Sequence, residues 1–195
     1  MIYILNFREV NMVSQTDYVN KLRSRMNFSY NEKFYLESIA CSYAIIENRT
    51  KRICEHLEKS ASSMSLEAKT KYIYNIIKNK SSQTDKKKIK LIGFLQYRIK
   101  QTNLLNINSL EEYDNIISNI QTKSQNNLLI SFRIQRNEFT HNMYKFDSNN
   151  PKLIDFEGFE SLAKTGIQVA NELCSIASAM KRKRNKLVNS KSKFA

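Results

Sequence analysis

The stretch NEKFYLESIACSYAIIENRTKRICEHLEK, residues 31–59, decides the fold. Leu36, Ile39, Tyr43, Ile46, Ile53 and Leu57 recur in it at steps of three, four or seven residues, and it holds neither Gly nor Pro. That spacing predicts one long helix, from about Asn31 to Lys59, with a single apolar face. Upstream, Gln15 to Met26 reads as a short basic helix with Lys21, Arg23 and Arg25 on its surface, within an N-terminal arm over residues 1–28. Downstream, the small, Ser-rich run Ala61 to Ser65 is a break before a helix at Leu66–Asn79, whose apolar side is Tyr72, Ile73, Ile76 and Ile77.

A second break at Ser81 to Asp85 ends in a capping residue, Asp85, for a helix that opens with Lys86-Lys87-Lys88 and carries Leu91, Phe94, Leu95 and Ile99. Ser109 and Glu112 form a capping-box pattern ahead of a short helix to Ile120. From about Gln125 to Phe146 the apolar residues Leu129, Phe132, Phe139 and Met143 predict another helix, ended by Asp147 to Pro151. The last, about Phe156 to Met180, repeats apolar residues in near-heptad order, and its Ala163, Gly166 and Ala170 permit a close helix approach within the bundle or across a dimer.

Only three Gly and one Pro in 195 residues leave too few turn formers for a β-rich chain. The expected class is therefore all-α, a bundle of about five to six helices. One domain over residues 29–180 is the economical division, with a basic tail at 181–195 that should be disordered alone. The net charge of +14 points to a polyanionic partner, nucleic acid first, although abundant Lys, Asn and Ile together also mark an AT-rich coding sequence. Cys41, Cys54 and Cys174 have no CxxC spacing and read as free core thiols in a reducing cytoplasm. Met1 to Val13 lacks the pattern of a signal peptide, and no stretch reaches the roughly 20 apolar residues of a membrane span.

The chemistry concentrates in Arg136-Asn137-Glu138-Phe139-Thr140-His141. Asn137 and His141 are four apart and share a helix face, whereas Arg136 points roughly 140° away from His141 and must reach round. Histidine exchanges a proton near neutral pH, and guanidinium stays charged and grips phosphate oxygens in a planar fork. A base that activates a ribose 2′-hydroxyl, with a cation on the neighbouring phosphate, is sufficient to break an RNA strand. The plainer alternative is an Arg136 paired with a nearby carboxylate and a His141 of no special role. Glu47 lies within a turn of the apolar stripe, where a carboxylate wants a cationic partner: Arg136 or His141 on the functional reading, Lys51 on the plainer one. Lys87, Lys88, Tyr97, Arg98, Arg133 and Tyr144 are candidate RNA contacts, combining cations for the backbone with rings for the bases.

Arg136-Asn137, three residues and His141 resemble the signature of the HEPN superfamily of helical ribonucleases, in which Arg, often followed by Asn, precedes His by four to six intervening residues. The likeness runs from about Asn31 to Met180. It implies a helical bundle that dimerises, brings both motifs into a shared cleft and cuts RNA without a metal or cofactor. His141 is then the general base or acid, Arg136 the phosphate clamp and Asn137 an orienting group. Many members are toxins or anti-phage effectors, so an antitoxin or other regulatory protein is a possible partner. In one branch a Tyr follows the His at the second position; here Met143 stands there, and that branch's regulation is not implied.

Arg49 and His56 also satisfy the looser spacing, but Thr50 follows the Arg, and they read as ordinary helix residues. Glu138-x-x-His141 lacks the second copy that a di-iron site needs, and no Gly-rich phosphate loop, HExxH or nucleophile elbow is present. The alternative to a ribonuclease is a non-catalytic helical protein that holds nucleic acid or an acidic partner on its basic face.

Overall fold

The computed structural model describes residues 14–107, 113–118, 126–143 and 157–189, and among them it contains helices and no strands. Among the described residues seven α-helices follow one another: α1 (Gln15–Asn31), α2 (Tyr35–His56), α3 (Leu66–Lys78), α4 (Lys86–Lys100), α5 (Tyr113–Ser118), α6 (Leu128–Met143) and α7 (Glu157–Asn189), with a short 3-10 turn at Lys80–Ser82 between α3 and α4.

The starts that the sequence marks carry caps. The Ser65 hydroxyl accepts from the Ala68 amide at the head of α3, and the Asp85 carboxylate accepts from the Lys87 and Lys88 amides at the head of α4. Asp85 also sets a negative charge where three lysines oppose the helix dipole. The Ser109 and Glu112 pattern lies outside the described residues.

The long helix expected over Asn31–Lys59 begins later. Between α1 and α2 the backbone turns at Lys33, whose φ is 62°, and the Phe34 amide bonds back to the Ser29 carbonyl. Glu37, in the first turn of α2, fixes the corner by accepting from Arg25 at 2.5 and 3.0 Å and from the Ser29 hydroxyl at 2.8 Å. The Ser38 hydroxyl donates to the Met26 carbonyl within the interface. With Val19 and Met26 buried, the segment from Gln15 onward belongs to the bundle instead of forming an arm.

The centre of the molecule is α2 against α7. Ile39, Ile45, Ile46 and Ile53 of one meet Leu162, Val169, Leu173 and Ile176 of the other in a single core, around which α1, α3, α4 and α6 are arranged. At the seam, a Cβ on Gly166 would come within 2.7 Å of the Phe132 ring and 3.0 Å of Ser42 Cβ. The small residue of α7 therefore serves contacts inside one chain, letting α2 and α6 approach together. The helix also runs past Met180: Lys181 to Asn189 are helical, with Leu187 partly buried against the core. This part of the tail expected to be disordered is ordered, and 190–195 lie outside the described residues.

All three cysteines are buried and free, as their spacing predicts, and burial pushes the Cys54 thiol up to about 12. Among the described residues no helix is long and apolar enough to cross a membrane.

Gly166→Ala should destabilise the chain by about 1–2 kcal/mol, because overpacking against a fully buried Phe132 outweighs the roughly 1 kcal/mol that Ala contributes to a helix over Gly. Thermal unfolding followed by circular dichroism tests this; a midpoint equal to or above wild type would show that the seam has slack.

Candidate functional site

The helix that carries the Arg–His pattern is anchored at its start. Asn127 is buried just before α6, and its side-chain oxygen accepts from the Asn106 amide at 2.9 Å. The Leu128 and Leu129 amides, which lack partners inside the helix, donate to the Asn103 and Leu104 carbonyls. Leu129, Ile130 and Phe132 are buried beneath α6, and further along Phe139 meets Phe159 of α7 edge to face at 4.0 Å. These contacts fix the rotation of α6, and so decide which of its polar residues face outward.

Arg136 is half-buried, with its guanidinium 4.1 Å above the ring of Tyr43 from α2. One Nη donates to Asn137 Oδ1 at 3.2 Å, and the Thr140 hydroxyl donates to the Arg136 carbonyl at 2.9 Å. Among the described residues it has no carboxylate partner. The ring covers one face of the cation and leaves its N–H edges, the part that binds phosphate oxygens. Asn137 and His141 are exposed on the same helix.

Tyr43 links this cation to a buried pair. Its hydroxyl donates to Glu47 at 3.0 Å, and the other Glu47 oxygen is paired with Lys69 of α3, a lysine only 5% exposed. Glu47 thus touches neither Arg136 nor His141, and Lys51 pairs with Glu55 instead. Its influence on Arg136 runs through the tyrosine. Burial, then the Glu47 carboxylate, raises the Tyr43 phenol against the opposing pull of Arg136 and Arg133, which keeps it a neutral donor. Tyr43 was not among the candidate site residues; only its four-residue spacing to Glu47 marks it in the sequence.

The candidate RNA contacts separate. Arg133, one turn before Arg136, is 7% exposed and paired with Glu67 of α3, so it is an interior residue and not a surface contact. Lys87 and Lys88 are half-buried in the first turn of α4, and Tyr97 is 60% exposed further along it. Arg98 donates to the Ser175 hydroxyl at 2.8 Å and ties α4 to α7. Among the described residues no hydrogen bond, ion pair or ring contact joins these α4 residues to Arg136, Asn137 or His141. Tyr144 lies outside the described residues.

Arg49 and His56 prove less ordinary than their sequence reading. Arg49 Nε and His56 Nδ1 are buried and make no hydrogen bond within the described residues. Burial, then the charges of Arg184 and Arg52, lowers the His56 pKa from its usual 6.5, with Glu55 opposing. Among the described residues no group of three or more His, Cys, Asp or Glu is placed to hold a metal ion.

Two expectations follow. Lys69→Met should cost roughly 3 kcal/mol, the lower end of the range for breaking a buried pair because Glu47 keeps its Tyr43 bond and some exposure. Glu47→Gln combined with Lys69→Met should recover more than half of that in urea unfolding, and an additive double variant would rule the coupling out. For His56, the unfolded chain takes up a proton near 6.5 that the folded chain resists. Its contribution to stability is complete above that pH and is lost as pH falls through the lower folded value. His56→Gln should therefore flatten the fall in the urea midpoint between about pH 7 and 5, and superimposable profiles would refute this.

No family model, no curated protein and no solved structure matches this chain, so a functional reading rests on this geometry and on the residue pattern of α6.

Proposed function

We propose that the chain is an endoribonuclease that cuts RNA without a metal, using Arg136 and His141, and that it acts as a homodimer. The observation that carries the reading is the state of Arg136: a cation seated on the Tyr43 ring, with no carboxylate of the described residues to neutralise it, on the same helix as an exposed histidine.

In the reaction, a 2′-hydroxyl loses its proton to a base and its oxygen attacks the adjacent phosphorus. The P–O5′ bond breaks and the leaving oxygen takes up a proton, giving a 2′,3′-cyclic phosphate and a 5′-hydroxyl. Arg136 holds the phosphate oxygens as charge builds on them, Asn137 orients the guanidinium, and His141 supplies one of the two proton transfers. An acid beside the base speeds departure of the leaving oxygen. One copy offers a single histidine in this motif, and a second copy would bring the other, which favours the dimer.

The high positive charge suits RNA as substrate. The resemblance of the α6 pattern to HEPN ribonucleases extends the reading to a toxin or anti-phage effector restrained by a partner protein. Three buried free thiols suit a reducing compartment such as the cytoplasm.

The test is to incubate the purified chain and its Arg136→Ala and His141→Ala variants with labelled single-stranded RNA in EDTA and analyse the fragment ends. Wild type should leave cyclic-phosphate ends, and each variant should be slower by about 10²–10⁴. Cutting that survives both substitutions, or inactivity of all three proteins, would replace this reading with that of a non-catalytic binding protein.

A further inference from the structure

At the end of the bundle formed by α1, α2 and the last turns of α7 there is a groove of about 600 Å³. Three helical periodicities converge on it. Arg49, Arg52 and His56 are three and four residues apart and share one face of α2. Lys181 and Arg184 line it from α7, and Arg23 from α1. Among the described residues no Asp or Glu lines the groove. Among these cations Arg52 has a carboxylate partner, Glu55 at 2.7 Å, and Arg23 donates to Asn171 at 2.9 Å.

Of these cations Arg52 alone has a carboxylate partner among the described residues, and crowding the others together in the groove is electrostatically unfavourable for the free protein. Its inner wall adds two buried polar atoms, Arg49 Nε and His56 Nδ1, that make no hydrogen bond within the described residues. Both residues line the groove, where the guanidinium N–H groups of Arg49 and its neighbours are the counterpart of an anion with several acceptor oxygens. Phosphate has that chemistry. The cations are also spread over three helices, Arg182 lines the groove as well, and Lys186 is exposed further along α7, so the surface suits a chain of phosphates better than a single one.

We propose that this groove binds the phosphodiester backbone of RNA, as a docking tract separate from the Arg136 and His141 site. The inference takes from the proposed function only the identity of the polymer; it needs no cleavage. Its core contacts are Arg49, Arg52 and His56 at the wall, with Lys181 and Arg184 at the exposed rim.

The experiment measures binding of a labelled single-stranded RNA of about a dozen nucleotides by fluorescence anisotropy, over a range of salt in EDTA, with every protein carrying His141→Ala. Loss of cutting then cannot pass for loss of binding, and a chain that never cuts still tests the groove. Lys181→Glu with Arg184→Glu is compared with Lys100→Glu with Lys164→Glu, exposed positions outside the groove whose reversal changes the net charge equally. The rim pair should weaken binding by roughly tenfold or more and flatten the dependence of log K on log salt by about 1.4, two phosphate contacts on a single strand. The control pair should change affinity by no more than about threefold, the effect of net charge alone. Arg49→Met, which keeps the side chain's bulk, should weaken binding while helicity by circular dichroism stays unchanged. Equal losses in the two reversed pairs, no RNA binding at all, or retained binding in the rim pair would overturn the proposal. So would a nucleoside triphosphate that binds through these residues where RNA does not, which would assign the groove to a small phosphate ligand.

Discussion

Everything in this bundle depends on how closely α2 and α7 can approach, and one missing side chain sets that distance. Gly166 faces both Ser42 and Phe132, so the place where α7 meets α2 is also the place where α6 rests on the pair. The distance between packed helices follows the size of the side chains at their contact, and a residue without a Cβ facing small or flat partners lets them approach closely. The consequence reaches the surface: the seat of α6 determines that Arg136 lies over Tyr43, because the ring belongs to α2 and the cation to α6. A wider separation between these helices would leave both residues in place in the sequence and remove their contact.

The two arginines of α6 show how finely this positioning sorts similar side chains. Arg133 and Arg136 are three residues apart, yet the first is enclosed and neutralised by Glu67 and the second lies half open on an aromatic face. Their difference comes from α3, which supplies Glu67 to one and, through Lys69, engages the Glu47 carboxylate that Tyr43 links to the other. With Glu47 engaged by Lys69 and Tyr43, Arg136 has no carboxylate partner among the described residues.

Much of the architecture is legible in the sequence because it is written in local terms. The scarcity of Gly and Pro, the apolar stripes, the Asp85 cap and the Ser-rich break before α3 depend on neighbours within a turn or two, and the helices stand close to where those signals put them. The break at Lys33 was not legible, since no Gly or Pro marks it and the corner is held by Arg25 and Ser29 reaching Glu37 across it. The end of α7 was misread for a related reason: composition marks Lys181 to Asn189 as a solvated tail, but a helix already anchored in the core extends at little cost per residue, and Leu187 gives it a foothold. At the site, the pattern from Arg136 to His141 could be read directly, whereas Tyr43 and the groove around Arg49 and His56 are products of long-range packing. Residues 49 and 56 look unremarkable along the chain and become unusual only when α1 and α7 close over them.

The order in the last turns of α7 also bears on the thermodynamics of anything that docks there. Fixing a flexible chain takes about 1–2 kcal/mol of backbone entropy per residue, a penalty a disordered basic tail would meet afresh each time it closed on an anion. Here those turns are already helical, and the ordering has been done once, by folding. A ligand arriving at Lys181 and Arg184 meets a backbone that is already helical, with only side chains left to order. Attraction by such a surface carries little conformational heat, responds to ionic strength more than to temperature, and discriminates by the spacing of charges on the ligand.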